Sequence, residues 1–525
     1  MKVAKIYSAL LACLVVITTA RSLSAQTTTC DTVNGTRFNL EKRVNAVPQN
    51  NESVDFLLNR VGPGVDLVVG AAHDRRGEFN SFPGFPGGLQ DGAYYVHRTG
   101  NNCTPDFEGS LSSPTSATPT IGTPTVVADP ARDAFFLSDG LAVGGATAVV
   151  GRTTAANLLS TTICPNGTQN TQSVKCWPVV SFVNFPSSNS NANLSLQQPS
   201  IALDPRTSGT GAGDLYVVGS VIDGTNFPAV ASIQIVACTN TTVSCGSQVV
   251  ASGTDTFGSH PYIQVRSDGV ITISYWTFTL PFNVQPNPID IKFVTCTPQG
   301  APKAPVCSAP ALVAKLTVPA IFAPAANGFT DVLFPKHANR LEADGKTITT
   351  FLIYDRCRSI IGPAVSFAPV CSKVDVLLST SVNNGATWSA PKLVSGATGH
   401  QYMGAIHTDH STGITSIAYY STQNDPFEQR SQLLLSQIAA GSTIVGTAHT
   451  LTSGVNDPSS GIADLTEPHA EGIVDYGNRI GLAATGTGTK GQSRLYVHYT
   501  WNSVPGISNG ISQPDSNNTL VPFSY

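Results

Sequence analysis

One phrase recurs along the chain: an apolar strand, an Asp/Gly turn, and a second strand rich in Tyr, Val and Ile. Clear copies run from Pro199-Ser-Ile-Ala-Leu-Asp204 to Asp214-Leu-Tyr-Val-Val218 and from Pro261-Tyr-Ile-Gln-Val265 to Gly269-Val-Ile-Thr-Ile-Ser-Tyr275. A third runs from Tyr402-Met-Gly-Ala-Ile406 to Gly413-Ile-Thr-Ser-Ile-Ala-Tyr-Tyr420, and weaker copies begin near Glu52, Thr123, Pro335 and Glu471. Each phrase is followed by a further strand pair, such as residues 231–237 and 248–251. Four strands per unit, repeated about seven times, is the arithmetic of an all-β propeller of four-stranded blades, with six blades as the alternative. The even spacing argues against a simple sandwich, and no long helical pattern interrupts the strands to make an α/β fold.

The amino terminus reads as an export signal. Met1-Lys-Val-Ala-Lys5 is basic, an apolar run continues to Thr19, and Leu23-Ser-Ala25 offers a cleavage site before Gln26. The run is shorter than the roughly 20 residues a bilayer span needs. These features predict a secreted or periplasmic protein with no membrane span. The expected organisation is a signal at 1–25, an N-terminal segment at 26–44, the propeller at 45–503 and an irregular tail at 504–525.

Cysteine usage agrees. Without Cys13, which falls in the signal, ten cysteines remain of the eleven, an even count that reads as a disulfide framework in an exported chain. Cys164/Cys176, Cys238/Cys245, Cys296/Cys307 and Cys357/Cys371 are close couples, which leaves Cys30–Cys103 by elimination. A loop of about a dozen residues closed this way is worth roughly 3 kcal/mol in the chain-entropy model. The spacing does not suit structural zinc.

Charge excludes some partners. The formal net charge is −4, and removing Lys2, Lys5 and Arg21 with the signal takes it to −7. A mildly acidic, patchless chain is a poor match for nucleic acid or an anionic membrane. With only 12% charged residues, where each ionisable group falls matters more than usual.

Ser381-Val-Asn383-Asn-Gly385-Ala-Thr387-Trp388 resembles the Asp-box (BNR repeat) of sialidase-like propellers, with Asn383 in place of the usual Asp. An Asx side chain and Gly385 suit the turn, and Trp388 suits packing beneath it. The resemblance covers most of residues 45–503. It implies a secreted monomeric propeller that acts on or binds glycans, with no cofactor and no metal.

Propeller topology sends the loops entering strand one and leaving strand two of each unit to one face, around the central channel, where ligand sites form. Asn51, Glu52, His73, Asp74, Arg75, Arg76, His260, Trp276, Lys336, His337, Arg356, Arg358, His400, Tyr402, Tyr419, Glu467, His469 and Glu471 are expected there. Sialidases grip a substrate carboxylate with three arginines, a role the resemblance offers to Arg75, Arg76, Arg356 and Arg358. Local ion pairing with Asp74 and Asp355 is the competing role. The Cys357–Cys371 couple would clamp the loop that carries Arg356 and Arg358. The family uses a Tyr nucleophile, a Glu beside it and an Asp acid. The nearest analogues here are Tyr402, Tyr419 or Tyr476, with Glu467 or Glu471 and with Asp74, although the family's Arg-Ile-Pro signature has no counterpart. His400 with Tyr402 and Arg356 also fits the outline of a polysaccharide lyase. Three functions are therefore open: a sialidase-type exo-glycosidase, a propeller lyase, and a non-catalytic propeller that binds glycan or protein.

Overall fold

The computed structural model describes residues 26–27, 49–74, 92–98, 107–110, 123–141, 145–164, 167–168, 176–185, 193–225, 229–278, 287–318, 333–361, 370–396, 398–428, 430–452, 479–486, 493–508 and 511–524. Strand is their main regular element, beside one short helix at Ala155–Leu159, and the repeated phrase is the reason. Each apolar run is short, rich in β-branched and aromatic residues and closed by a turn residue, so it pairs with its neighbour instead of coiling. Among the described residues, seven antiparallel sheets of four or five strands form in chain order.

The first sheet contains Gln49–Gly62, Val65–Asp74, Gly92–Arg98 and Phe107–Ser110, with Gly167–Thr168 added in parallel. The second contains Thr125–Asp129, Ala134–Gly140, Thr147–Thr154 and Val179–Asn184. The third contains Leu194–Leu203, Leu215–Asp223, Val230–Cys238 and Val249–Val250. The fourth contains Gly258–Val265, Ile271–Phe278 and Asn287–Thr297, whose outer edge takes both Val306–Cys307 and Ala311–Val318. The fifth contains Lys336–Leu341, Ile348–Cys357, Val374–Ser381 and Lys392–Leu393. The sixth contains Gln401–Asp409, Ile414–Ser421, Gln432–Ile438 and His449–Thr450. The seventh contains Gly481–Thr485, Arg494–Ser508, Ile511–Ser524 and, from the other end of the chain, Gln26–Thr27.

The first strand of each sheet lies against the first strand of the next, and that of the seventh lies against that of the first. Apolar residues fill the spaces between neighbouring sheets. Phe136, Ile201 and Val217 pack at one junction, Val218, Ile235 and Ile273 at the next, and Phe351, Ile406 and Tyr419 further round.

Two boundaries differ from the sequence expectation. Residues 504–524 are not an irregular tail but the outer hairpin of the seventh sheet, with Trp501 opposite Asn517 and Ser508 opposite Ile511. Asn509-Gly510 stands between these strands in the sequence, and Asn-Gly between β segments is a strong hairpin signal. The units that begin near Glu52 and Glu471 contribute to different sheets. Each forms its own, and the seventh starts at Gly481, later than Glu471 suggests.

Neighbouring sheets are tied by polar clasps on the face that carries the turns between strands one and two. Asn240 Nδ2 donates to Asp129 Oδ2 at 2.9 Å, and Ala301 N–H donates to Asp214 Oδ2 at 2.6 Å. Arg266 Nη1 donates to Asn384 Oδ1 at 2.8 Å. Arg340 donates to the carbonyls of Ala439 and Ser442 at 3.0 and 2.7 Å. In each case the end of one sheet where strands one and two are joined meets the turn between strands three and four of the next.

Four cysteine couples are bonded as the spacing predicts: Cys164–Cys176, Cys238–Cys245, Cys296–Cys307 and Cys357–Cys371. The first three lie between strands three and four of their sheets. Cys357–Cys371 alone bridges strands two and three. Cys30–Cys103 lies outside the described residues.

The turn at residues 381–388 shows why its residues recur together. Ser381 Oγ accepts Gly385 N–H at 2.9 Å, and Asn383 Oδ1 accepts Thr387 N–H at 3.0 Å. Trp388 Nε1 donates to the Gly385 carbonyl at 3.0 Å, and its ring meets Phe293 edge-on at 5.1 Å. Gly385 has φ +81°, and a Cβ there would stand 2.4 Å from the Phe293 ring. Gly385→Ala is therefore expected to cost about 2–3 kcal/mol, combining left-handed strain with overpacking, read as a lower urea midpoint.

Candidate functional site

The first strands surround a central cavity of about 280 Å³, lined by residues from the first strand of every one of the seven sheets. Its chemistry is set at the end where those strands begin. Strand pairing slips at matching places in four sheets: between Asn50 and Ser53, Gln197 and Ser200, Ser259 and Tyr262, and Tyr402 and Ala405. Gln198, His260 and Met403 take positive φ at these slips. A bulge of this kind bends the strand and re-aims the side chains beside it. Pro199 and Pro261 fit there because proline has no N–H for the ladder.

Two cations lie at this end. Arg479 is buried and reaches the second sheet, donating from Nη1 to Thr125 Oγ1 and from Nη2 to the Thr123 carbonyl, both at 2.9 Å. Lys336 is buried at the start of the fifth sheet and donates to the Ile480 carbonyl at 3.2 Å. Each reaches a non-adjacent sheet, so each spans part of the channel. Both stand over the Phe334 ring, at 5.3 Å for Lys336 and 5.6 Å for Arg479. His260 meets the edge of Phe334 and stacks on Trp276, which also meets Phe278. Burial pushes the His260 pKa down to about 3, and Arg479 pushes the same way.

One carboxyl lines the cavity among the described residues, that of Asp55. It accepts N–H bonds from Ala128 at 2.7 Å and Phe56 at 2.8 Å. Burial outweighs those bonds and raises its pKa to about 6. The folded state therefore holds this proton more tightly than the unfolded chain, and stability falls as pH rises from about 4 to 6. Asp55→Asn removes that titration. The wild type is expected to lose stability relative to this variant across the window, as read from urea midpoints at pH 4.5 and 7.

The arginines expected in a carboxylate cradle have another occupation. Arg356 and Arg358 both bind the buried carboxylate of Asp375, Arg356 at 2.8 Å and Arg358 through two nitrogens. Burial would raise the Asp375 pKa, but these guanidinium bonds prevail and hold it below its usual range. The partner is Asp375 and not the sequence neighbour Asp355, because adjacent strand residues point to opposite faces. Asp355 instead accepts Met403 N–H at 3.2 Å. The Cys357–Cys371 bridge and Lys373–Glu428 at 2.8 Å complete the cluster. His400 joins it: Nδ1 accepts Val374 N–H at 3.2 Å, Nε2 lies 3.8 Å from Glu428, and burial pushes its pKa down to about 4.

The tyrosines expected as nucleophiles are inside the protein. Tyr402 is 0% exposed and stacks on Tyr420 at 5.5 Å; Tyr419 is 0% exposed and faces Ser436 Oγ at 3.2 Å. Both project between sheets and not into the channel. His337 is likewise buried, between Ser274 Oγ at 2.9 Å and Thr272 Oγ1 at 2.8 Å. His73 and Asp74 end the second strand of the first sheet, opposite Asn50 and Gln49. Arg75, Arg76, Glu467, His469, Glu471 and Tyr476 lie outside the described residues.

The repeat pattern puts Lys336, His260 and Trp276 at the mouth, whereas Arg479, Asp55 and Phe334 fall outside what it marks. Asp55 had a signal: it is a lone carboxylate in the apolar run Val54-Asp-Phe-Leu-Leu58. Arg479 was hidden because its unit carries the weakest copy of the phrase.

No family model and no curated protein matches the chain. Solved structures do resemble it. A protein of unknown function from Dyadobacter fermentans is 10% identical with TM-score 0.41, over 93% of this chain and 96% of that one. An α-L-arabinanase from Penicillium chrysogenum, complexed with arabinobiose, is 10% identical with TM-score 0.39, over 77% and 92%. The NanB sialidase from Streptococcus pneumoniae is 9% identical with TM-score 0.35, over 92% and 69%. Likenesses this weak leave function to the chain's own residues.

Proposed function

We propose that this chain is an exported seven-bladed β-propeller that binds the end of a glycan in its central channel. The single observation that carries the reading is the channel end itself, where Arg479 and Lys336 flank Phe334 beside His260 and Trp276. Aromatic faces offer apolar contact to a sugar ring, and cations with nearby backbone groups fix its polar substituents. A cavity of about 280 Å³ is at the small end for ligand sites, which suits one terminal unit better than a polymer segment. Pairing of Gln26–Thr27 with the far end of the chain in the seventh sheet supports a closed ring.

Binding is favoured over sialidase-type hydrolysis because Tyr402 and Tyr419 are buried and Arg356 and Arg358 are committed to Asp375. An immobilised-glycan array tests this. The wild type is expected to bind at least one glycan class, and Lys336→Met to weaken that binding tenfold or more with an unchanged thermal midpoint. Fluorogenic sialosides and uronic-acid polysaccharides are expected to remain intact. Failure to bind any glycan, or turnover of a sialoside, would overturn the reading.

A further inference from the structure

The pairing slips fix which side chains reach into the channel. Ser53, Tyr262 and Ala405 each follow a slip, and two residues further on, facing the same way, stand Asp55, Gln264 and His407. Ala202 holds the same place in the third sheet, and its small side chain leaves space. All of these residues line the cavity, and Asp55, Tyr262, Gln264 and His407 are partly exposed within it. These four come from the first, fourth and sixth sheets, so they approach the channel from different sides.

Their hydrogen-bonding capacity is only partly used. Asp55 accepts one backbone N–H at each oxygen, from Phe56 at 2.8 Å and Ala128 at 2.7 Å, and each oxygen of a carboxylate has room for another. Gln264 Nε2 donates to the Tyr262 hydroxyl at 3.3 Å, which leaves the phenol O–H and the second amide N–H to donate elsewhere. Both side chains are held from behind. Asn339 Nδ2 donates to Gln264 Oε1 at 3.4 Å, and the Tyr262 ring meets His337 edge-on at 5.5 Å. The Tyr262 phenol pKa is pushed up by burial, down by the Gln264 bond, up by Asp55 and down by Arg479, so it stands within electrostatic reach of both charged groups.

A sugar hydroxyl both donates and accepts, so a mixed set of one carboxyl, one phenol and one amide suits it. A carboxylate on the sugar would instead face Asp55, which is mainly ionised at neutral pH. The charges of the two cations are already held. Arg479 sits on Thr123, whose N–H binds the buried Asp139 carboxyl at 2.9 Å, and Lys336 sits on the Ile480 carbonyl.

Resting on the glycan reading above, we propose that Asp55, Tyr262 and Gln264 read the hydroxyls of the terminal sugar, and that this sugar is neutral. Tyr262 and Gln264 donate to its oxygens, Asp55 accepts from its hydroxyls, and the Asp55 charge turns acidic termini away.

The immobilised-glycan array, sorted by terminal unit, tests the assignment. Wild-type hits are expected to end in neutral sugars, with signals about tenfold above those of glycans ending in a uronic or sialic acid. Tyr262→Phe and Gln264→Ala are each expected to weaken the neutral hits about tenfold, the worth of one net hydrogen bond, and to change the ranking of galactose against glucose termini. A merely structural role would lower all signals together. Tyr262→Phe keeps the ring and its contact with His337, which guards against one variant failing to fold. Asp55→Asn is expected to raise the signal of uronate termini about fivefold relative to neutral ones. Wild-type hits that end in acids, neutral signals and ranking unchanged in both variants, or uronate signals unmoved by Asp55→Asn would each overturn the assignment while the glycan reading stands. An empty array would instead remove the glycan reading itself, and the assignment with it.

Discussion

Replacing Arg340 with alanine is expected to destabilise the protein by about 3–5 kcal/mol, as measured by chemical denaturation. The Arg340 side chain is only 2% exposed and is fully engaged: it pairs with Glu342, donates to the carbonyls of Ala439 and Ser442, and stands 4.8 Å over the Phe351 ring. Truncation leaves two carbonyls and a carboxylate without their donor, and opens a gap between the fifth and sixth sheets. Arg340→Lys keeps the charge but cannot serve the two carbonyls and Glu342 from one planar group, so it should recover less than half of the loss. The equivalent clasp at Asp129–Asn240 holds no charge on the asparagine side, and Asn240→Ala is expected to cost nearer 1 kcal/mol. If Arg340→Ala proved as mild as Asn240→Ala, the clasps would not be what locks neighbouring sheets.

Acid should be the second large perturbation. His337 and His400 are buried and neutral, with pKa values pushed down to about 3 and about 4, and His260 is pushed down to about 3. The unfolded chain takes up these protons below about pH 6.5, whereas the folded chain does not until much lower pH. Stability is thus undiminished above pH 6.5 and falls as pH drops toward 4, opposite in sign to the contribution of Asp55. His337 alone accounts for roughly 3 kcal/mol by pH 4, since each pKa unit is worth about 1.4 kcal/mol. His337→Gln is expected to lower stability at pH 7 yet flatten the decline between pH 6.5 and 4. An unchanged slope would show that His337 titrates freely.

Much of the frame was legible in the sequence because strand repeats and turn residues are local signals. Pro199 and Pro261 mark first strands and Gly413 the turn that follows one, without reference to anything distant, and four cysteine couples close within their own sheets. The site was less legible because it is assembled from residues far apart. Nothing local says that Arg479 reaches Thr123, or that Asp375 takes up both Arg356 and Arg358. Tyr402 shows the difficulty in one residue. It stands at the start of a first strand, as a mouth residue should, but the slip between Tyr402 and Ala405 sets which neighbouring side chains face the axis. Its ring points between sheets, against Tyr420. A period-two pattern cannot reveal where pairing slips.

The central claim is that ligand sits in the channel lined by the seven first strands. A crystal structure of the protein with an array-positive oligosaccharide tests it most directly. The terminal sugar is expected against Phe334, within hydrogen-bond reach of Lys336 and Arg479. Sugar density on an outer strand edge or on the face bearing the Arg340 clasp, with the channel unchanged, would contradict the account.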